Sequence, residues 1–191
     1  MRLFVALDLP EDVRHSLAEL IERLKPKCPG ARWVRPESMH LTLKFIGHAI
    51  ADGDLRKLGE LRAALATIHS NEPVQLHFRG VGFFPNERRP RVVWCGVEAS
   101  RNLAQIAAEI DRALEPLGIP RENRAFVPHL TLARIEPPRP LDALARQAEE
   151  LKSRDFGAAR ENRFYLFESK LKPSGAQYTK LETYSFVKAA A

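Results

Sequence analysis

Cysteine is nearly absent. Cys28 and Cys95 are the only two, they form no Cys-x-x-Cys pair, and neither stands beside a cluster of histidines. Neither a disulfide framework nor a structural zinc site is expected, and a reducing cytoplasm is the simplest home. Long apolar runs are missing as well. No stretch approaches the roughly 18 apolar residues of a membrane span. The apolar opening Leu3-Phe4-Val5-Ala6-Leu7 is closed by Asp8 and Pro10, too early for a secretory leader. With no coiled-coil pattern and no exposed apolar stripe, a monomer that avoids membranes is expected. Acidic residues are outnumbered: 30 Lys and Arg stand against 24 Asp and Glu, a net charge of +6, which favours a polyanionic partner. Apolar residues are not scarce. At 45% hydrophobic over 191 residues, the chain can form one large unit or two small lobes sharing a core.

Periodicity places the elements. Residues 2–8 read as a strand, and Pro10-Glu11-Asp12 opens a helix to about Lys25 with Val13, Leu17, Leu20, Ile21 and Leu24 at helical spacing. Trp33-Val34 suggests a short strand, 40–47 a longer one, and 54–69 a second helix. Strands are expected at 74–83 and 91–97, around the turn-rich Pro85-Asn86-Glu87-Arg88-Arg89-Pro90. The second half runs similarly. A helix is expected at 102–117, a basic loop at 120–128, a strand at 129–135 and a helix at 141–151. Strands at 163–171 and 178–187 flank a turn at Pro173-Ser174-Gly175. The pattern suggests a diverged duplication. The fold class expected is α+β: residues 1–191 as a single bilobal domain of two pseudo-symmetric lobes. Each lobe is an antiparallel sheet with helices packed outside, facing a central cleft.

One tetrapeptide is written twice, His40-Leu41-Thr42-Leu43 and His129-Leu130-Thr131-Leu132, with start positions 89 residues apart (40 against 129). Strand side chains alternate faces, so each His-x-Thr presents imidazole and hydroxyl together. Strict alternation puts His40, Thr42 and Lys44 on one face and Leu41, Leu43 and Phe45 on the other. In the second copy it puts His129, Thr131 and Ala133 outward, with Leu130 and Leu132 inward. A lone His-x-Thr is more often a surface or satisfied core pair; two identical copies on matching strands point to a site. Two imidazoles, one neutral and one protonated near neutral pH, can act as base and acid on a phosphodiester. The Thr hydroxyls can hydrogen-bond the non-bridging oxygens. The neighbourhoods lack the additional His, Asp or Glu of a multi-ligand metal site, so neither metal nor cofactor is expected.

Further stretches carry a resemblance: the opening residues 2–7, Lys44-Phe45-Ile46-Gly47, Val92-Val93-Trp94-Cys95-Gly96-Val97, Phe126-Val127-Pro128 before the second motif and Ala133-Arg134 after it. Glu168-Ser169-Lys170-Leu171 and Gly175-Ala176-Gln177-Tyr178 extend it. Over nearly its whole length the chain resembles the 2H phosphoesterase superfamily, and within it the RNA 2′,3′-cyclic phosphodiesterase (2′-5′ RNA ligase) family. The resemblance implies hydrolysis of a terminal 2′,3′-cyclic phosphate to a 2′-phosphomonoester without metal. His40 would be the proton donor to the leaving 3′ oxygen, His129 the proton acceptor from water, and Thr42 and Thr131 the phosphate-binding residues. It also implies reversible 2′-5′ joining of RNA ends, as with tRNA halves. From the residues alone, acid and base are interchangeable. Two other readings stay open: a 2H enzyme acting on a small cyclic nucleotide or an RNA 3′ end, and a non-catalytic RNA-binding module.

Secondary candidates surround the motifs. Arg134 matches a family arginine, yet alternation turns it away from His129 unless a bulge intervenes. Phe126 is a candidate to stack on a base, whereas Phe45 is expected in the core. Tyr178 is a candidate to line the cleft. Arg121 and Arg124 could meet RNA phosphates but read sooner as solvated loop cations, and Arg88, Arg89 and Arg91 form a basic turn that could track RNA or equally stand as a solvated hairpin tip. His15, His48, His69 and His77 lack the motif context and carry no assignment.

Overall fold

The computed structural model describes residues 1–136, 141–172 and 175–187; Pro173 and Ser174 of the expected turn lie outside the described residues. Two antiparallel sheets form the frame. In the first, β3 (Leu41–Gly47), β1 (Leu3–Leu7), β8 (Arg163–Lys172) and β9 (Gly175–Ser185) lie side by side in that order. In the second the order is β2 (Arg32–Trp33), β6 (His129–Arg134), β5 (Val92–Ala99), β4 (Val74–Phe84) and β7 (Asp155–Glu161). The helices are α1 (Glu11–Leu24), α2 (Leu55–Leu65), α3 (Asn102–Leu114) and α4 (Asp142–Glu150). The α+β class is as expected.

Helix α2 starts where the Asp54 carboxylate accepts from the Lys57 N–H at 2.9 Å. It ends before the expected His69, although Ile68 remains buried; apolar spacing outlasts the helix. Strand β7 escaped the sequence reading. Its pairing with β4 jumps from Phe78↔Gly157 to Arg79↔Asp155, leaving Phe156 unmatched, and this irregularity breaks the alternation by which a strand is recognised.

The lobes are not the two halves of the sequence. Strands β1 and β3 from the start share a sheet with β8 and β9 from the end. Helix α1 follows β1 but packs on β7 of the second sheet, and α3 follows β5 but packs on β3 of the first. Both sheets and all four helices feed one core, containing among others Leu3, Leu17, Leu61, Phe78, Ile110, Leu130 and Leu144. A smaller cluster of Phe4, Ala6 and Phe167, with Tyr165 and Tyr178 against it, occupies the opposite face of β1.

Each motif strand carries a bulge at the same place. On β3, Ala6 pairs with Thr42 and Val5 with Lys44, so Leu43 has no partner of its own. On β6, Trp94 pairs with Thr131 and Val93 with Ala133, so Leu132 has none. The second leucine of each tetrapeptide is the extra residue, and beyond it the facing of the strand inverts. Strict alternation is therefore corrected. Lys44 is buried at 2% exposure and Phe45 is 47% exposed, the reverse of the expectation. Ala133 is fully buried and Arg134 exposed.

Candidate active site

The two motif strands meet across the sheets: β3 and β6 are in contact. A short stretch of chain helps bring them together. Strand β2 pairs with β6, and Val34 N–H donates to the carbonyl of the bulged Leu132 at 2.8 Å. The next residues turn through a 3-10 helix at Pro36–Ser38 and arrive at His40.

Both imidazoles are held in the same way. His40 Nδ1 lies 2.8 Å from the Ser38 carbonyl, and His129 Nδ1 lies 2.8 Å from the Val127 carbonyl, each two residues upstream. A carbonyl oxygen can only accept, so each Nδ1 carries a proton and each Nε2 is left free to face the cleft. Thr42 and Thr131 are half-buried on the same faces as their histidines. Among the described residues neither hydroxyl has a protein partner.

The surroundings of the two histidines differ. The His40 ring is packed by Phe4 (centroids 4.6 Å apart) and met edge-on by Tyr178 (5.1 Å), while Phe167 stacks on Phe4 at 5.0 Å. His129 meets the edge of Phe84 at 4.9 Å. Burial pushes the His40 pKa below the ordinary histidine value. The Ser38 carbonyl and Asp8 oppose this, while the charges of Arg134 and Arg14 add to it. The influence of Arg134 on His40 brings a residue of the second motif strand to bear on the first.

A network missed by the sequence reading stands behind His40. Arg14 on α1, its side chain only 13% exposed, donates to Asp8 Oδ1 at 2.7 Å and to the Pro36 carbonyl at 2.5 Å. It also reaches the carbonyls of Leu9 (3.2 Å) and Met39 (3.3 Å). Lys180 reaches the other Asp8 oxygen at 2.5 Å. Burial alone would raise the Asp8 pKa, but the Lys180 hydrogen bond, the Leu9 N–H and the charges of Lys180 and Arg14 hold it below the usual carboxylate value. No motif announces these residues; they lie far apart in sequence and only folding assembles them.

Lys44 plays a corresponding part for the second motif. Turned inward by the bulge, it donates to the Pro120 carbonyl at 2.6 Å and pairs with Asp111 Oδ1 at 2.5 Å, anchoring the loop that leads to His129. Of the other candidates, Arg134 is exposed on the Thr131 face, where the bulge puts it, and Tyr178 stands against His40. Phe126 lies half-buried against the main core, Arg121 pairs with Glu115 at 2.6 Å, and Arg124 is exposed. His77 pairs with Asp155 at 2.5 Å. A cavity of about 510 Å³ is bordered by Ser38 and Tyr178, the two residues that hold and meet the His40 ring, and by Arg35, Lys172 and Gln177. Among the described residues no three His, Cys, Asp or Glu converge as metal donors, and no helix is long and apolar enough to cross a membrane.

The family model for LigT-like phosphoesterases matches residues 7–94 and 96–178. An RNA 2′,3′-cyclic phosphodiesterase of Methanothermobacter thermautotrophicus is 35% identical over 184 residues, 96% of this chain and 98% of that one. The Thermus thermophilus protein of the same name is 36% identical over 97% of this chain and 90% of its own. Among solved structures, TT0787 of Thermus thermophilus superposes with a TM-score of 0.77 at 34% identity, covering 97% of this chain and 98% of that one. Escherichia coli LigT complexed with 3′-AMP gives 0.75 at 26% identity, covering 98% of both. Two interlocked sheets, a His-x-Thr on each and full-length likeness to these proteins agree: the chain belongs to the LigT-like phosphoesterase family of the 2H superfamily.

Proposed function

We propose that this protein hydrolyses the 2′,3′-cyclic phosphate at the end of an RNA to a 2′-phosphomonoester, with His129 as base and His40 as acid and without a metal. The observation that carries the reading is the matched anchoring of the two imidazoles, which leaves two Nε2 atoms as the proton-transferring groups. His129 Nε2 takes a proton from water as its oxygen attacks phosphorus. The P–O3′ bond breaks and His40 Nε2 protonates the departing O3′. Thr42 and Thr131 donate to the non-bridging oxygens, where negative charge accumulates. The relatives named above as RNA 2′,3′-cyclic phosphodiesterases support the substrate class, and the 3′-AMP complex of the E. coli protein supports a nucleotide-sized site. Replacing water by the 5′-hydroxyl of a second RNA end turns the same steps into 2′-5′ joining.

The acid role requires a protonated His40, whereas burial favours its neutral form. An anionic phosphate supplies the correction. It adds negative charge beside the ring and offsets Arg134, so proton uptake accompanies substrate binding.

The test is hydrolysis of a short cyclic-phosphate RNA in excess EDTA. Wild type should give the 2′-phosphate, and His40→Ala and His129→Ala should each lose about 10²–10⁴ in kcat. On a nitrophenyl phosphodiester, whose leaving group needs no proton, His40→Ala should keep most of the wild-type rate and His129→Ala should not. Reversed behaviour would exchange the two roles. Inhibition by EDTA would end the metal-free reading. Binding of RNA without turnover of any phosphodiester would leave a binding module.

A further inference from the structure

The hydrolytic reading leaves part of the second sheet unused. A cavity of about 770 Å³ opens on the second sheet, bordered by Trp94, Gly82, Arg79, Asn86, Arg88 and Lys152. A water nucleophile occupies roughly 30 Å³ and needs no such space, whereas about 300–1,000 Å³ is the range of small-molecule sites. We propose that this cavity is the subsite for the nucleoside whose 5′-hydroxyl replaces water, that is, for the accepting RNA end. The proposal rests on the reading of His129 as the base.

Geometry ties the cavity to the phosphate seat. Trp94 is the register partner of Thr131 and shares its face, one strand away, or about 4.8 Å. Phe84 links the two neighbourhoods, its ring 4.9 Å from His129 and 5.3 Å from Trp94. The indole lies against Gly82, where a Cβ would come within 2.2 Å of the ring. Any other residue at 82 would lift the indole off the strand. Trp94 is half-buried and borders the cavity, so part of an aromatic surface is offered to a base. Base–aromatic stacking recognises any sequence, as an enzyme acting on RNA ends requires. Arg79 is held through Nε by the Ser153 carbonyl at 3.2 Å, and Lys152 by Glu149 at 3.2 Å. Arg88 sits exposed on the hairpin tip, where it can meet the next phosphate.

In-line displacement gives the two sides different occupants. The leaving O3′ and its ribose belong with His40 and the 510 Å³ cavity bordered by its neighbours Ser38 and Tyr178; the nucleophile enters from the opposite side of phosphorus, beside His129. As the acceptor O5′ attacks, the P–O5′ bond forms and the P–O3′ bond breaks. The O5′ proton goes to His129 Nε2, and His40 Nε2 gives its proton to O3′. The product is a 2′-5′ phosphodiester with a free 3′-hydroxyl, and no co-reactant is consumed.

The experiment uses the protein's small tryptophan count. Trp33 is the only tryptophan besides Trp94, so Trp33→Phe leaves one reporter. Titration with a dinucleotide bearing a 5′-hydroxyl and no terminal phosphate should quench it saturably. In parallel, Trp94→Leu and Arg88→Ala are assayed for cyclic-phosphate hydrolysis and for joining to a 5′-hydroxyl oligonucleotide, with cleavage of a 2′-5′-linked dinucleotide as the reverse reaction. Joining and cleavage should fall about tenfold or more while hydrolysis stays within about twofold. Arg88→Ala alters only an exposed tip and keeps the test valid if Trp94→Leu does not fold. Absent quenching, equal losses in hydrolysis and joining, or hydrolysis without any joining or 2′-5′ cleavage by the wild type would each overturn the subsite. Wild-type failure to hydrolyse the cyclic phosphate would instead overturn the reading on which it rests.

Discussion

Thr42 and Thr131 sit one pleat from their histidines, with hydroxyls that the described protein leaves unengaged. Thr42→Val and Thr131→Val keep the branched shape and remove the donor, so each should lower kcat about 10²–10³-fold with the melting temperature little changed. Steady-state kinetics beside thermal unfolding checks this. His40 supplies a second prediction. The proposed mechanism needs its proton, and burial makes the free protein release that proton at a lower pH than an ordinary histidine. As pH rises, kcat/KM should therefore fall first, because it reports the free enzyme, while kcat holds to a higher pH because bound phosphate restores the proton. Coincident alkaline limbs would rule out substrate-linked proton uptake. The motif residues themselves were legible because an identical tetrapeptide is written twice. Asp8, Arg14 and Lys180 were not, since nothing in a linear sequence joins positions 8, 14 and 180.

At the scale of elements, the repeated bulge decides which side chains face the cleft. A bulge belongs to the register between two strands, so reading one strand by alternation cannot find it. Alternation alone puts Lys44 toward the cleft and Phe45 in the core, and the bulge exchanges them. Lys44→Met leaves Asp111 beside an apolar side chain without its counter-ion and should cost about 3–5 kcal/mol. Lys44→Met with Asp111→Leu removes both charges and should recover much of that loss. Denaturant unfolding of the two single variants and the double measures the coupling. Strong apolar elements such as α1 and β1 were legible because burial imposes a period. Strand β7 was not, because a bulge interrupts its period.

On the scale of the molecule, neither lobe is continuous in the chain. The first sheet needs the last hairpin, β8–β9, and each long crossing helix, α1 or α3, packs on the sheet it did not come from. With one core serving both sheets, heat should unfold the protein in a single transition whose calorimetric and van't Hoff enthalpies agree; two resolved transitions would show that the lobes unfold independently. Sequence suggested the duplication but not this interleaving, since which strands become neighbours depends on long-range pairing that local pattern does not encode.

The link from β2 to His40 has a kinetic consequence. It works as a hasp: one end is locked into β6 by the Val34 amide, and the other carries the imidazole of the opposite sheet. Spreading the sheets apart would break that amide's bond to Leu132. On the proposed function, the cleft should therefore admit an RNA end without the two sheets first parting, so association should show no slow opening step in stopped-flow binding.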